Sequence, residues 1–178
     1  MRVSIRKFNG CDIENKIKWI NNPANNRYLH YDLPLEYDRT VKWFENNKNR
    51  NDRYDAVIEA DGTPIGIIGI LNIDFKNLKG EFYICIGETG YKGKGLAFSA
   101  SQILLDHAFT TLKLNKVYLY TEKDNTVAQR LFEKMGFKRE GLLEEDLIYN
   151  KRKVDRFAYG ITAKEFENRN IPSVNTKF

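Results

Sequence analysis

The sequence predicts one α/β domain in which helices flank a mixed, mostly antiparallel central sheet. Short apolar or alternating segments bounded by turn signals are typical of strands. Other segments repeat apolar residues at helical spacing. The two kinds of segment follow one another in the order β-α-α-β-β-β-α-β-α-β-β over 178 residues, a length that suits a single domain.

The first third of the chain predicts one strand and two helices. The segment VSIRKF alternates apolar and polar residues, as a strand does. Asp12 is expected to cap a helix that ends at the loop around Pro23. A second helix is expected within residues 35–47, with Val41 facing the core.

The middle of the chain predicts three strands, a helix and a fourth strand. Asp61-Gly62 joins the first two strands, and this dipeptide is a strong signal for a tight hairpin. The run EFYICI is the third strand. Helical spacing of apolar residues then continues over residues 100–112, and KVYLYT follows as a strand.

The last part of the chain predicts a helix and a second hairpin. Asn125 or Asp124 is expected to cap the helix NTVAQRLFEKMG, and Gly136 to end it. Residues 137–162 form a hairpin that turns around residues 150–153. The domain is therefore expected to span residues 1–162, and the polar tail 163–178 is expected to fray.

Charge and composition limit the partners and the compartment. A net charge of +5 favours anionic partners. Basic residues alternate with acidic ones instead of forming a stripe, which argues against nucleic acid. No apolar run approaches about 18 residues, so a cytoplasmic protein without a membrane segment is expected. Cys11 and Cys85 lie far apart, in no metal-binding pattern, and indicate a reducing compartment.

A glycine-rich, cationic loop separates the strand EFYICI from the next helix. The run GYKGKGLAFSA places three glycines and two lysines at this junction. Glycines let backbone N–H groups approach an anion, and the helix directs the positive end of its dipole at it. The pattern GxxxxGK[ST] would need glycine at Glu88 and a hydroxyl at Gly95, and GxGxxG would need a small residue at Phe98. Both fail, so the loop predicts a pyrophosphate site of another kind.

Three segments in chain order carry a family resemblance, and a fourth segment near the start of the chain adds to it. KGKGLA resembles the Q/R-x-x-G-x-G/A signature of the GNAT superfamily of acetyl-CoA-dependent N-acetyltransferases, with lysine at its first position. NTVAQRLFEKMGFKREG is similar to that family's N-x-x-A-x-x-[LF]-[YF]-E-K-x-G-F segment. LIYNKRKVDRFAYGI and WINNPANNRYL resemble the branches that act on ribosomal proteins and on nucleotide-linked amino sugars. The resemblance covers roughly residues 2–162.

The resemblance implies an enzyme that uses acetyl-CoA as co-substrate and no metal. It would acetylate a primary amine by direct attack in a ternary complex, with a nucleotide-linked amino sugar or a protein N-terminal amine as acceptor. The chain around Cys85 and Ile86 would pair with the pantetheine arm as an added strand. Asn125 would contact the arm or cap its own helix. The residues expected to bind the CoA pyrophosphate are Lys92, Gly93, Lys94, Gly95, Leu96 and Ala97.

Two glutamates are candidates for the base that deprotonates the amine. A lysine-type amine has a pKa of about 10.4, so a base is worth about 10²–10⁴-fold near neutral pH. Glu81 stands where similar family members carry their base, and Glu88, at the far end of that strand, is the second choice. Phe132 replaces the tyrosine that many family members use as general acid. It is expected to be a wall of the thiol pocket, with another tyrosine or a water supplying the proton.

A second class of function stays open at this point. The chain could be a non-catalytic basic module that binds RNA or a CoA-type ligand. Release of free thiol from acetyl-CoA over a panel of amines separates the two classes. The sequence is also compatible with a homodimer.

Overall fold

Seven strands form one sheet in the computed structural model, which describes residues 1–169. Their order across the sheet is β1-β2-β3-β4-β5-β7-β6. The strands are Val3–Lys7 (β1), Tyr54–Ala60 (β2), Thr63–Asp74 (β3), Lys79–Ile86 (β4), Lys116–Glu122 (β5), Lys138–Tyr149 (β6) and Arg152–Thr162 (β7).

Helices lie between these strands in the order that the sequence predicts. The α-helices are Ile13–Asn21 (α1), Pro23–Asn26 (α2), Tyr37–Asn47 (α3), Leu96–Thr110 (α4), Thr126–Lys134 (α5) and Ala163–Glu167 (α6). Single 3₁₀ turns at Gly10–Asp12 and Thr89–Tyr91 precede α1 and α4. The predicted α/β architecture is confirmed, with α2 and α6 as additions.

The sheet is antiparallel except where β4 meets β5. That parallel ladder holds only three residue pairs and ends at Glu81 opposite Tyr118. Beyond this pair β4 continues to Ile86 and β5 to Glu122 without pairing to each other. The two strands therefore leave a gap in the middle of the sheet.

Two apolar cores cover the two faces of the sheet, because successive strand side chains point to opposite sides. Phe82 and Ile84 of β4 pack with α4 and α5 in the larger core. Tyr83 and Cys85 of the same strand pack on the other face, with α1 and α3. One face of β4 is thus covered by α4 and α5, and the other by the N-terminal helices α1 and α3.

Both predicted hairpins form, and their turns have the expected backbone geometry. Asp61 and Gly62 have φ of 49° and 80° between β2 and β3. Asn150 and Lys151 have φ of 49° and 63° between β6 and β7. Positive φ at both central residues matches the twist of the flanking strands.

The start of α1 differs from the prediction. Asp12 occupies the N-cap position, but its side chain makes no capping hydrogen bond to that helix. Its buried carboxylate instead accepts two hydrogen bonds from the Arg6 guanidinium, both 2.7 Å long. A bidentate, charge-assisted pair is stronger than a cap formed by one neutral N–H group. The Asp12 carboxylate therefore binds Arg6 and does not cap α1.

Two segments predicted as irregular are helical. Pro23 opens the one-turn helix α2, because its fixed φ suits the first helical position. Residues 163–167, the start of the predicted tail, form α6, in which Thr162 and Glu165 make a capping box. The predicted fraying is therefore wrong for this stretch. The rest of the tail, from residue 170, lies outside the described residues, and the domain boundary at residue 162 stays a prediction.

Gly87 holds the end of β4 against α1, and we predict that Gly87→Ala destabilises the fold. A Cβ atom there would overlap the buried indole ring of Trp19. Overpacking of this kind costs about 1–3 kcal/mol. Gly90→Ala is the control, since its Cβ would meet no atom within 4 Å. Chemical denaturation measures both variants, and equal free energies of unfolding would contradict the packing argument.

Candidate active site

A cavity of about 700 Å³ occupies the gap between β4 and β5. Among the residues that the sequence singles out, eight line it: Glu81, Cys85, Ile86, Lys92, Gly93, Ala97, Asn125 and Phe132. Lys94 and Gly95 are exposed on the loop outside the cavity, and Leu96 is buried in the larger core. Glu88 also lies outside the cavity lining.

Backbone groups of β4 face this gap at alternate residues. The N–H group of Gly87 donates to the carbonyl of Ile65 across the β3–β4 pair, at 2.8 Å. Because alternate residues of an antiparallel strand direct their backbone groups to opposite sides, Tyr83 and Cys85 also bond to β3. Ile84 and Ile86 therefore direct their N–H and C=O groups into the gap. Cys85 also lines the cavity, and the pairing of its chain segment with the pantetheine arm stays a prediction.

The glycine loop ends in an open helix N-terminus. Gly93 and Gly95 have φ of 74° and 78°, and a Cβ at either would meet no atom within 4 Å. Gly95 is the N-cap of α4, and no side chain caps that helix. The first backbone N–H groups of α4 are thus available to an anion, and Lys92 and Lys94 add positive charge. Lys92 is held near the cavity by donating to the carbonyl of Ala24, at 2.9 Å.

Asn125 performs the capping role that the sequence allows. Its side-chain oxygen accepts from the backbone N–H of Ala128 at 3.2 Å, at the start of α5. The residue also lines the cavity. Capping fixes the start of α5 beside the gap, where Ala128, Leu131 and Phe132 form one wall.

The two candidate bases lie at opposite ends of β4. Glu81 lines the cavity at the last β4–β5 pair, and its carboxylate accepts from the Asn72 amide at 2.9 Å. Glu88 lies beyond Ile86, the last residue of the strand, which is about 17 Å from Glu81 at about 3.3 Å per residue. It pairs with Lys18 at 2.5 Å and accepts from the Trp19 indole at 2.8 Å. These two contacts lower the pKa of Glu88, that of Lys18 being the stronger.

Phe132 forms part of the apolar end of the cavity. It is buried, and its ring packs edge-on against Phe82 with centroids 6.1 Å apart. Phe137 and Tyr159 complete this aromatic cluster. Phe132 brings no hydroxyl group to the site, as the sequence analysis expects of a pocket wall.

Two further carboxylates that line the cavity, one half-buried and one buried, are already paired. Asp55 accepts from Arg53 at 2.5 and 2.9 Å and from the Tyr83 hydroxyl at 2.7 Å. Glu122 lies 2.8 Å from the His30 ring and 3.1 Å from Arg152. Burial and the nearby Asp55 charge raise the pKa of Tyr83 well above its ordinary value, so its hydroxyl stays a donor.

A buried cation faces the same cavity. Lys16 of α1 is 5% exposed, and its ammonium nitrogen lies over the Trp43 ring. Burial is the main reason that the pKa of Lys16 falls to about 7. The sequence alone does not assign a role to Lys16, because α1 carries charges on several sides and only tertiary packing distinguishes Lys16 from exposed Lys18.

Neither a membrane helix nor a metal cluster is found in residues 1–169. No helix there is long and apolar enough to cross a bilayer. No group of three His, Cys, Asp or Glu side chains in that range could hold a metal ion. The predicted cytoplasmic location and the homodimer stay predictions.

Comparison with known proteins agrees with this geometry. Residues 2–138 match the model of the acetyltransferase (GNAT) domain family. The spermidine N(1)-acetyltransferase of Escherichia coli K12 is 37% identical over 144 residues, which cover 72% of this chain and 77% of the relative. A putative ribosomal N-acetyltransferase of Bacillus subtilis is 31% identical over 113 residues, covering 64% of this chain and 61% of the relative.

A solved structure extends the likeness over nearly the whole chain. The spermidine N-acetyltransferase from Vibrio cholerae, in complex with CoA and spermine, superimposes with a TM-score of 0.86 at 28% identity. The match covers 93% of this chain and 98% of that one. The GNAT resemblance and the fold predicted from the sequence are confirmed.

Proposed function

The chain belongs to the GNAT acetyltransferase family and is an acetyl-CoA-dependent N-acetyltransferase, and we propose that it acetylates a primary amine held on the α1–α3 face of the β4–β5 cavity. The observation that carries this proposal is the gap itself. It joins an uncapped helix N-terminus at one end to a carboxylate, Glu81, at the other.

Acetyl-CoA would occupy the gap lengthwise. Its pyrophosphate would bind the N–H groups at the start of α4, with Lys92 and Lys94 supplying charge. The pantetheine arm would lie along β4 and exchange hydrogen bonds with Ile84 and Ile86, as an added strand does. The β4 backbone from Ile86 to Glu81 spans about 17 Å, so the thioester would arrive near Phe132 and Glu81.

The chemical step would be direct attack of the amine on the thioester carbonyl. Glu81, directly or through a water, would take a proton from the ammonium to give the neutral amine. Nitrogen bonds to the acetyl carbon, the C–S bond breaks, and the thiolate leaves. The nitrogen then loses its second proton, which the thiolate takes directly or through a water, so the products are the amide and the free CoA thiol. The CoA thiol has a pKa of about 8.5, so expelling it as a thiolate near neutral pH costs only roughly 2 kcal/mol. The reaction can therefore proceed with Phe132 at the position where many family members have a general acid.

Three acceptor classes are consistent with this step. The sequence predicts a nucleotide-linked amino sugar or a protein N-terminal amine, and the relatives add a polyamine. Carboxylates at Asp55, Glu81 and Glu122 line the cavity and would attract a polycation. Arg53 and Arg152 already neutralise two of them, however, which leaves Glu81 alone. The alternative of a non-catalytic binding module loses its basis, because family membership accounts for the loop, the gap and the carboxylate together.

We predict that Gly95→Val weakens acetyl-CoA binding at least about tenfold while the fold survives. A β-branched residue is strained at a φ of 78°, and this strain of about 1–3 kcal/mol would misalign the N–H groups of the loop. Gly90→Val is the matched control, since Gly90 lies in the same segment in open space without a positive φ. Isothermal titration calorimetry measures both affinities. Unchanged affinity in a folded Gly95→Val variant would exclude the loop as the pyrophosphate site.

We predict that Glu81→Gln lowers kcat/KM about 10²–10⁴-fold without changing acetyl-CoA affinity. Higher pH should partly restore the rate, because solvent then supplies the neutral amine. Glu88→Gln is the comparison variant, and its rate should stay within about twofold of the unmodified enzyme. Thiol release measured from pH 6 to about 10 gives these values. Full activity in Glu81→Gln together with loss in Glu88→Gln would assign the base to Glu88.

A further inference from the structure

Lys16 is a buried cation without a counter-ion. The residue is only 5% exposed, and its ammonium nitrogen lies among the rings of Phe8, Tyr31 and Trp43. Within residues 1–169 its ammonium group makes neither a hydrogen bond nor an ion pair. Ring faces stabilise a cation only in part, and a buried charge is normally paired.

The carboxylates near Lys16 do not fill this role. Asp55 is the carboxylate whose charge acts on the Lys16 ammonium group, but its oxygens already accept hydrogen bonds from Arg53 and Tyr83. Asp32 and Glu36 line a neighbouring cavity of about 210 Å³ that also reaches Lys16, and neither pairs with it. Arg53 and Asp55 pair with each other, so Lys16 has no counter-ion among residues 1–169.

We propose that Lys16, with the Tyr31 hydroxyl, binds an anionic group of the acceptor, either a carboxylate or a phosphate. Both residues line the large cavity, and the Lys16 nitrogen lies 5.9 Å from the Tyr31 ring centroid. The Tyr31 hydroxyl makes no hydrogen bond within the described chain. Its pKa is raised to about 12, chiefly by burial, so it stays protonated and can donate. An anion would also favour the charged form of Lys16, whose pKa burial lowers to about 7.

The sheet places this anion and the reacting amine on the same side of the cavity. Glu81 and Tyr83 point to the same face of β4, two residues or about 7 Å apart. Tyr83 contacts Asp55, whose charge acts on Lys16. An acceptor bound between Glu81 and Lys16 would therefore present its amine and its anionic group to the same face of β4. This inference rests on the proposed function, and it selects a phosphorylated or carboxylated amine, such as a nucleotide-linked amino sugar, over a polyamine.

The test compares acceptors that share an amine and differ in the anion. Glucosamine is paired with glucosamine 1-phosphate, and an ω-amino acid with its amide, while spermidine represents the polycations. We expect the unmodified enzyme to prefer the anionic member of a pair at least about tenfold in kcat/KM. The phosphate pair and the carboxylate pair show which anion is used.

Substitution of Lys16 then assigns the preference to this residue. Lys16→Met should abolish the preference by raising KM for the anionic acceptor, with kcat for glucosamine and acetyl-CoA affinity unchanged. Lys16→Arg, which keeps the charge, should restore part of it. Lys18→Met is the control, since it removes a charge from the same helix outside the cavity.

The outcomes separate the two proposals. Efficient acetylation of spermidine that Lys16→Met leaves unchanged or improves would overturn the anion site while supporting the acetyltransfer. An equal loss for glucosamine and its phosphate in Lys16→Met would also overturn it, because a purely structural role predicts that result. Absence of thiol release with every amine would contradict the proposed function itself.

Discussion

The end of the parallel ladder between β4 and β5 is the constraint on which the rest of the site depends. Three residue pairs hold the strands together, and beyond Glu81 each strand is held only on its outer side, β4 by β3 and β5 by β7. Unpaired backbone groups in a protein interior are costly. A ligand with amide groups along an extended chain relieves that cost, and the pantetheine arm of acetyl-CoA has this chemistry.

Position along β4 then gives different surroundings to residues of the same type. Glu81 lies where the strands meet and has one neutral partner, Asn72. Glu88 lies beyond the open end and is neutralised by Lys18. The lysines separate in the same way, because Lys92 and Lys94 belong to the exposed glycine loop, whereas Lys16 of α1 is buried beside the cavity. The two anion subsites proposed for these lysines would orient a co-substrate and an acceptor toward the same carboxylate.

Local signals in the sequence predict much of this arrangement. Asp61-Gly62 specifies a turn because both residues tolerate positive φ, and the glycines of the loop predict its open backbone. Features that depend on contacts between residues far apart in the chain cannot be predicted from such local patterns. Asp12 satisfies the rule for a cap, yet Arg6 of β1 takes its carboxylate. The alternation that directs Ile84 into the gap depends on the register with β3, and the burial of Lys16 depends on Trp43 of α3.

Amide hydrogen exchange along β4 tests most directly whether acetyl-CoA completes the sheet. Without ligand, the N–H groups of Tyr83 and Cys85 should exchange slowly because β3 holds them, and those of Ile84 and Ile86 should exchange faster. Saturating acetyl-CoA should slow Ile84 and Ile86 by about tenfold or more, equivalent to about 1.4 kcal/mol or more, and leave their neighbours nearly unchanged. Exchange at Ile84 and Ile86 that stays the same on binding would contradict strand-like pairing of the pantetheine arm.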